Sequence, residues 1–279
     1  MPELPEVETI KTAIARALGH CNINAIKVNN NKFRETIPAD LAEKFRGAKI
    51  NGYRRIAKYI IIDCDNGLSL IWHLGMSGRV KITDELPNPP DKHDHVVIST
   101  DKSYVIFHDP RRFGLMTYCL TAELNRHRLL SHLGPDPFSN DFNAGYLYQK
   151  LQKKKIPVKV ALLDQEIVVG IGNIYASETL YGAGILPTRP ANLISSKECE
   201  SIVKEARAVL NKAIAAGGST LRDYQKPDGS LGYFQNQHCV YNKAGHKCPD
   251  CHCDINQTGG IKRIVQAGRS TYFCPVKQK

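Results

Sequence analysis

No stretch of the 279-residue sequence approaches the ~18 consecutive apolar residues that a helix needs to span a bilayer, which argues against a membrane-embedded protein. The first residues lack a basic start followed by an apolar segment, so nothing in them suggests secretion. There is no internal repeat and no low-complexity tract, and the chain reads as ordinary globular sequence. Acidic residues are scarce beside basic ones, 27 against 38, and the net charge of +11 points to a polyanionic partner, nucleic acid or a membrane surface. Nine cysteines without an export signal favour free thiols or metal ligation over disulfides.

Three regions follow from the pattern. Up to about residue 133, one early helix (Val7, Ile10, Ala13, Ile14, Ala17, with Gly19 as the stop) precedes a series of short apolar bursts cut by turn residues. These bursts predict a β-sandwich or barrel-like sheet, with Asn66-Gly67 as a hairpin turn. Leu133-Gly134-Pro135-Asp136-Pro137 breaks any regular element and reads as a linker. Residues 141–216 carry helical spacing throughout. The last forty residues contain a CxxC, glycines and two strand-like stretches, with seven Lys or Arg against two Asp.

Several short motifs carry chemistry. The chain opens MPELPEVE. Removal of Met1 would leave Pro2 as a secondary amine, which titrates near pH 8 and is nucleophilic when neutral, with Glu3 beside it to move protons. The plainer reading is that Pro2 and Pro5 stiffen an acidic leader. VVGIGNIYASE (168–178) has a glycine turn ahead of Asn173, suited to phosphate at a helix start or to a generic helix junction. Lys153, Lys154 and Lys155, with Lys159, form either a solvated face or a strip of phosphate contacts. HLGMSGR (73–79), KHDH (92–95) and HDPRRFG (108–114) have loop composition; Phe113 beside two arginines suits a wedge in a base stack, or else core. Lys58, between apolar strand residues, either snorkels outward or points into a site. Cys248 and Cys251 form a CPDC, and Cys274 opens a second knuckle. There the fourth thiolate of a zinc ribbon is replaced by Lys277, a poor zinc ligand. Cys253, His252, His246 and Cys239 are the local substitutes, and a metal-free hairpin is the alternative.

Together MPELPEVE, RRIAKY, HLGMSGR, KHDH, DPRRFG, VVGIGNIYASE and GRSTYFCP resemble, nearly end to end and in order, the bacterial formamidopyrimidine-DNA glycosylase family. KHDH and DPRRFG look like its purine-directed branch rather than the endonuclease VIII branch. The resemblance implies an α+β chain: an N-terminal β-sandwich domain with an early helix (1–133), a helix-two-turn-helix domain (134–232) and a zinc-finger-like β-hairpin (239–275). It implies a bifunctional glycosylase and abasic-site lyase of base-excision repair in the bacterial cytoplasm, at the nucleoid; because binding one lesion in one duplex needs no symmetry, a monomer is expected. Its partner would be double-stranded DNA containing 8-oxoguanine, formamidopyrimidines or abasic sites, nicked by β,δ-elimination.

Residue by residue, the resemblance makes Pro2 the nucleophile, Glu3 the acid, Lys58 the proton-transfer lysine of β-elimination and Arg269 the residue of δ-elimination. His93, Arg111, Lys154 and Lys155 would contact DNA, with His73 and Asn173 also reaching its backbone. Met76, Arg111 and Phe113 would fill the hole left by a flipped nucleotide, and Glu6 would stand behind the nucleophile. Residues 217–229 resemble the loop that closes over an extruded purine. One structural Zn²⁺ would be held by Cys248, Cys251, Cys274 and Cys253. A catalytically silent damage-binding protein and a zinc-ribbon nucleic-acid adaptor are the competing readings.

Overall fold

The structure, a computed structural model, describes residues 1–220, 225–252 and 254–279. Its contacts gather into two compact units. The first is Met1–His132 with Ile214–Gln235, and the second is Leu133–Ala213 with Asn236–Lys279. By contacts, therefore, the segment Ile214–Gln235 belongs with the first unit, whereas the sequence-derived division groups most of it with the helices.

The first unit begins with α1 (Leu4–Leu18), whose Val7, Ile10, Ile14 and Leu18 form one fully buried stripe; of the residues the sequence spacing groups, Val7, Ile10 and Ile14 lie in it, while Ala13 and Ala17 are only partly buried. Each aliphatic side chain of the stripe contributes on the order of 2 kcal/mol by leaving water. Then follow β1 (Ile23–Val28), α2 (Leu41–Phe45), β2 (Ile50–Ile56), β3 (Tyr59–Cys64), β4 (Leu68–His73), β5 (Arg79–Thr83), β6 (Asp94–Thr100), β7 (Tyr104–His108) and β8 (Leu115–Leu120). All strand pairings are antiparallel, in two four-stranded sheets ordered β2-β3-β4-β8 and β1-β6-β7-β5. One core, with Phe45, Ile60, Ile62, Trp72, Val96, Ile98 and Phe107 among its members, draws side chains from both sheets and from α1. Strands β3 and β4 bury both faces (Ile60, Ile61, Ile62; Leu70, Ile71, Trp72), which is why their sequences read as apolar runs rather than alternations. The Asn66-Gly67 turn joins β3 to β4.

The second unit holds α3 (Ala144–Leu151), α4 (Val158–Leu162), α5 (Asn173–Ala183) and most of α6 (Ser196–Ala215). Helix α5 is buried on all sides from Ile174 to Tyr181, so it forms the centre of the helical core. Helix α6 buries Cys199, Ile202, Val203, Ala206, Leu210 and Ala213, one stripe of an amphipathic helix. After α7 (Ile255–Thr258), strands β9 (Lys262–Gln266) and β10 (Arg269–Phe273) form a hairpin closed by Ala267-Gly268. Tyr181, Val240, Cys248, Ile261, Tyr272 and Cys274 make a small separate core beneath it. Among the described residues, no helix is long and apolar enough to cross a membrane.

Candidate active site

The start of α1 is built around two carboxylates. Pro2, Glu3 and Glu6 are all buried, and Glu3 is the residue that caps the helix. The Glu3 N–H donates to Glu6 Oε2 at 2.9 Å, which is the reciprocal half of a capping box and meets one of the helix's orphan donors. The other oxygen of Glu6 accepts the N–H of Ser219 at 2.7 Å. Gly218 makes that approach possible: its φ is +80°, and a Cβ there would lie 2.8 Å from Glu6 Oε1. Glu6 thus ties the helix start to the entrance of the 217–229 loop. Of that loop, 221–224 lie outside the described residues.

Lys58 sits in the two-residue turn between β2 and β3, after Ala57 in the left-handed region, yet it is buried. The turn is steadied from behind: Arg55 donates to the Ala57 carbonyl at 3.2 Å and to Glu8 of α1 at 2.9 Å. His73 ends β4, and its Nδ1 accepts the N–H of Gly75 at 3.0 Å. Burial first, then the charges of Lys58 and Arg34, depress the His73 imidazolium to about 4. His73 is therefore neutral near pH 7, with its proton on Nε2 and free to act as a donor rather than as a charge.

The two loops that follow β4 and β7 pack backbone on backbone. Gly75, at φ +65°, leaves no room for a side chain, since a Cβ would meet the Phe113 carbonyl carbon at 2.3 Å. At the loop tips Met76 and Phe113 are 43% and 42% exposed, and the Arg111 guanidinium lies 4.5 Å above the Phe113 ring. Phe113 is thus not a core residue, and the wedge composition read from the sequence is displayed on the surface. His93 is partly exposed; its N–H donates to Asp91 at 2.8 Å and its ring stands edge-on to His108.

In the second unit, Asn173 opens α5 after the glycine turn. Its amide donates to the Ser270 carbonyl at 2.8 Å and to the Tyr241 hydroxyl at 3.0 Å, and its oxygen accepts from Lys159. Lys159 is fully buried and also donates to Thr271 Oγ1 at 2.7 Å, so it is not part of a surface cationic strip. Lys155 is exposed, and Lys154 is paired with Asp164 at 3.2 Å. Arg269 is exposed at the first position of β10, beside the turn of the hairpin that Asn173 and Lys159 anchor. Glu178, which the sequence reading passed over, is buried on α5 and accepts the N–H groups of Cys239, Val240 and Tyr241 at 2.7, 3.0 and 2.7 Å. Burial pushes its carboxyl up, against the pull of those three donors.

The sulfurs of Cys248, Cys251 and Cys274 converge, with Cys248 at 2.8 Å from Cys251 and 3.4 Å from Cys274, and 3.5 Å between the other two. Three thiols at this spacing suit a soft, borderline cation such as zinc, and the cluster is able to hold a metal ion. Lys277 occupies the knuckle as expected, but only its N–H faces a sulfur, that of Cys274 at 3.4 Å. Its ammonium turns instead to Asp250 at 2.9 Å and to the face of Tyr181 at 4.1 Å. Cys253, the expected substitute ligand, lies outside the described residues.

Comparison with known proteins gives one answer. The formamidopyrimidine-DNA glycosylase N-terminal domain matches residues 1–116, and the H2TH domain of the same proteins matches 133–225. The chain belongs to the formamidopyrimidine-DNA glycosylase family. A relative from Rhodospirillum rubrum is 44% identical, and one from Acidiphilium cryptum 45%, each over the whole of both chains. Among solved structures, Lactococcus lactis Fpg in complex with abasic-site DNA superposes with a TM-score of 0.89 at 32% identity over 99% of each chain. The MutM (Fpg) protein of Thermus thermophilus gives 0.86 at 33%, over 99% of this chain and 98% of that one. The family's fold, an N-terminal β-sheet domain followed by a helical H2TH domain, is the α+β architecture expected from the motifs.

Proposed function

We propose that the chain, a base-excision DNA glycosylase by its family, removes oxidised purines from double-stranded DNA and then nicks the strand as an abasic-site lyase. The observation that carries this reading is the buried Pro2–Glu3 pair at the start of α1, held by Glu6. With Met1 removed, the Pro2 nitrogen is a secondary amine with an appreciable neutral fraction at pH 7. It attacks C1′ of the damaged nucleoside, the bond from C1′ to the base breaks, and Glu3 supplies the proton that the departing base or the opening sugar requires. The product is an iminium cation between Pro2 and C1′. That cation acidifies the C2′ proton, Lys58 assists its removal, and the 3′-phosphate leaves by β-elimination. Arg269 serves the second, δ-elimination.

A base within the duplex hides its glycosidic bond, so the nucleotide is extruded first, at a cost of about a few kcal/mol. Met76, Arg111 and Phe113 fill the vacated space, and His73, His93, Lys154, Lys155 and Asn173 hold the DNA backbone. One zinc ion, when bound, steadies the hairpin that bears Arg269, through Cys248, Cys251 and Cys274 with Cys253 as the proposed fourth ligand. The enzyme acts as a monomer on a single lesion, in the bacterial cytoplasm at the nucleoid, with residues 1–133, 134–232 and 239–275 as its working domains.

The test is a duplex carrying one 8-oxoguanine. The reading expects free base and a gap bearing phosphates at both ends, and Arg269→Ala should leave the β-elimination product. A shifted gel band with every glycosidic bond intact would instead identify a silent damage-binding protein.

A further inference from the structure

Asp109 stands at the junction of β7 and the Arg111–Phe113 loop, and neither the sequence motifs nor the chemistry above gives it a role. Its side chain is fully buried. Oδ1 accepts the Ser77 hydroxyl at 2.7 Å and the Arg111 N–H at 3.3 Å, and Oδ2 accepts the Gly114 N–H at 2.8 Å. The main chain of the same residue donates to the His93 carbonyl at 3.0 Å and accepts the Arg112 N–H at 3.2 Å. His95 Nε2 lies 3.0 Å from its carbonyl oxygen. One residue therefore joins three loops.

The partners are not scattered. Ser77 follows Met76 in sequence, Gly114 follows Phe113, and the third donor is Arg111 itself. Each of the three gap-filling side chains is thus carried by a backbone position within one residue of a group bound to this carboxylate. The side chains stand out into solvent while their roots are held in the core. We infer that Asp109 is the positioning residue of the gap-filling apparatus, its buried carboxylate setting the spacing of Met76, Arg111 and Phe113. This rests on the reading that those three side chains fill the space left by an extruded nucleotide.

An acceptor-only group is required here, because three donors converge on two oxygens. In Asp109→Asn one oxygen becomes an NH₂ donor. Placed at Oδ2 it faces the Gly114 N–H; placed at Oδ1 it faces the Arg111 N–H, although the Ser77 hydroxyl can reverse its own role. Either orientation breaks a backbone tie in the Arg111–Phe113 loop.

The experiment uses the full chain and compares wild type, Asp109→Asn and Ser77→Ala on three duplexes. One carries 8-oxoguanine opposite cytosine, one carries the lesion with no base opposite, and one carries a preformed abasic site. A 2-aminopurine beside the lesion reports unstacking. Misplacing the wedge should lower kcat/KM for base release from the paired lesion by about 30-fold in Asp109→Asn, with the fluorescence rise slowed in step. Nicking of the abasic duplex, which has no base to unstack, should change by less than about threefold, and removing the opposite base should restore much of the lost rate. Ser77→Ala should fall in the same direction by about three- to fivefold. Equal loss on lesion and abasic duplexes, or no loss, would overturn the assignment. If Asp109→Asn does not fold by circular dichroism, Ser77→Ala decides alone by the same criterion. If wild type releases no base at all, the activity reading fails separately, and the fluorescence difference between wild type and the variants still decides the role of Asp109.

Discussion

The first unit and the cysteine-bearing end of the second fix the backbone around their candidate site residues by different means. In the first, buried carboxylates collect converging donors: Glu6 takes the N–H groups of Glu3 and Ser219, and Asp109 takes the Ser77 hydroxyl and the N–H groups of Arg111 and Gly114. In the second, a thiol cluster and a hairpin are bound to the helical core by Glu178, Lys159 and Asn173. The difference shows in what each tolerates. An acceptor-only carboxylate with every donor in place has no neutral substitute. The knuckle, by contrast, carries a lysine where a zinc ribbon has its fourth thiolate, and Lys277 has found Asp250 and the ring of Tyr181. Glu178, which accepts three backbone N–H groups, and Lys159, which donates to the Thr271 hydroxyl, tie that end of the molecule to the helices independently of the thiols.

The sharpest way to break this comparison lies in the first unit. Glu3→Gln, which keeps the shape of the cap but not the acid, should lower base release by about a thousandfold, in the range of lost general acid catalysis. Nicking at a preformed abasic site, where no base departs, should survive; equal loss of both activities would remove Glu3 from that role. Next in size is the anchor of the second unit. Glu178→Ala strands three backbone donors and should destabilise that unit by roughly 3–5 kcal/mol, read from its thermal or urea transition. Metal removal by a chelator should cost less than this; a larger loss on chelation would mean that the thiols, not the carboxylate, carry the end of the chain.

Acid stability separates the units by residue. His73 in the first and His238 in the second are both held down to about 4, chiefly by burial. The unfolded chain takes up protons at these positions below about pH 6.5 and the folded chain does not. The stability they contribute is therefore complete above pH 6.5 and lost as the pH falls toward 4. For His73 the loss is about 3 kcal/mol at the lower end. His73→Gln should flatten that slope in the first unit alone, and an unchanged slope would contradict the assignment. The smallest effect is that of Phe113→Ala, which should weaken binding to lesion duplex about tenfold, as loss of one stacked contact does, while sparing the lyase step on an abasic site.

Much of this was legible beforehand because it is local. The stripe of α1, the apolar runs of β3 and β4, the loop composition around Met76 and Phe113, and the spacing of Cys248 and Cys251 all lie within short windows. What escaped is long-range. The Glu6–Ser219 bond spans 213 residues, so no pattern near Glu6 announces it, nor does any place the 214–235 segment with the first unit. Lys58 looked like a strand residue and lies in a turn, because Arg55 and Glu8 fix a hairpin that β-propensity alone would have run through. Lys159 looked like surface charge and is buried among oxygens supplied by Asn173, Ser270 and Thr271, more than a hundred residues away in two of the three cases. Asp109 and Glu178 were visible inside quoted motifs, but their work is to accept backbone N–H groups, which leave no mark on composition.

The most direct test of the central claim is borohydride trapping on a duplex with one 8-oxoguanine, with Pro2→Gly alongside. Reduction fixes the iminium as a stable crosslink between protein and DNA. The account predicts a crosslink that maps to residue 2 and is severely reduced in the variant. A crosslink mapping to another residue, or none at all while the duplex remains bound, would contradict it.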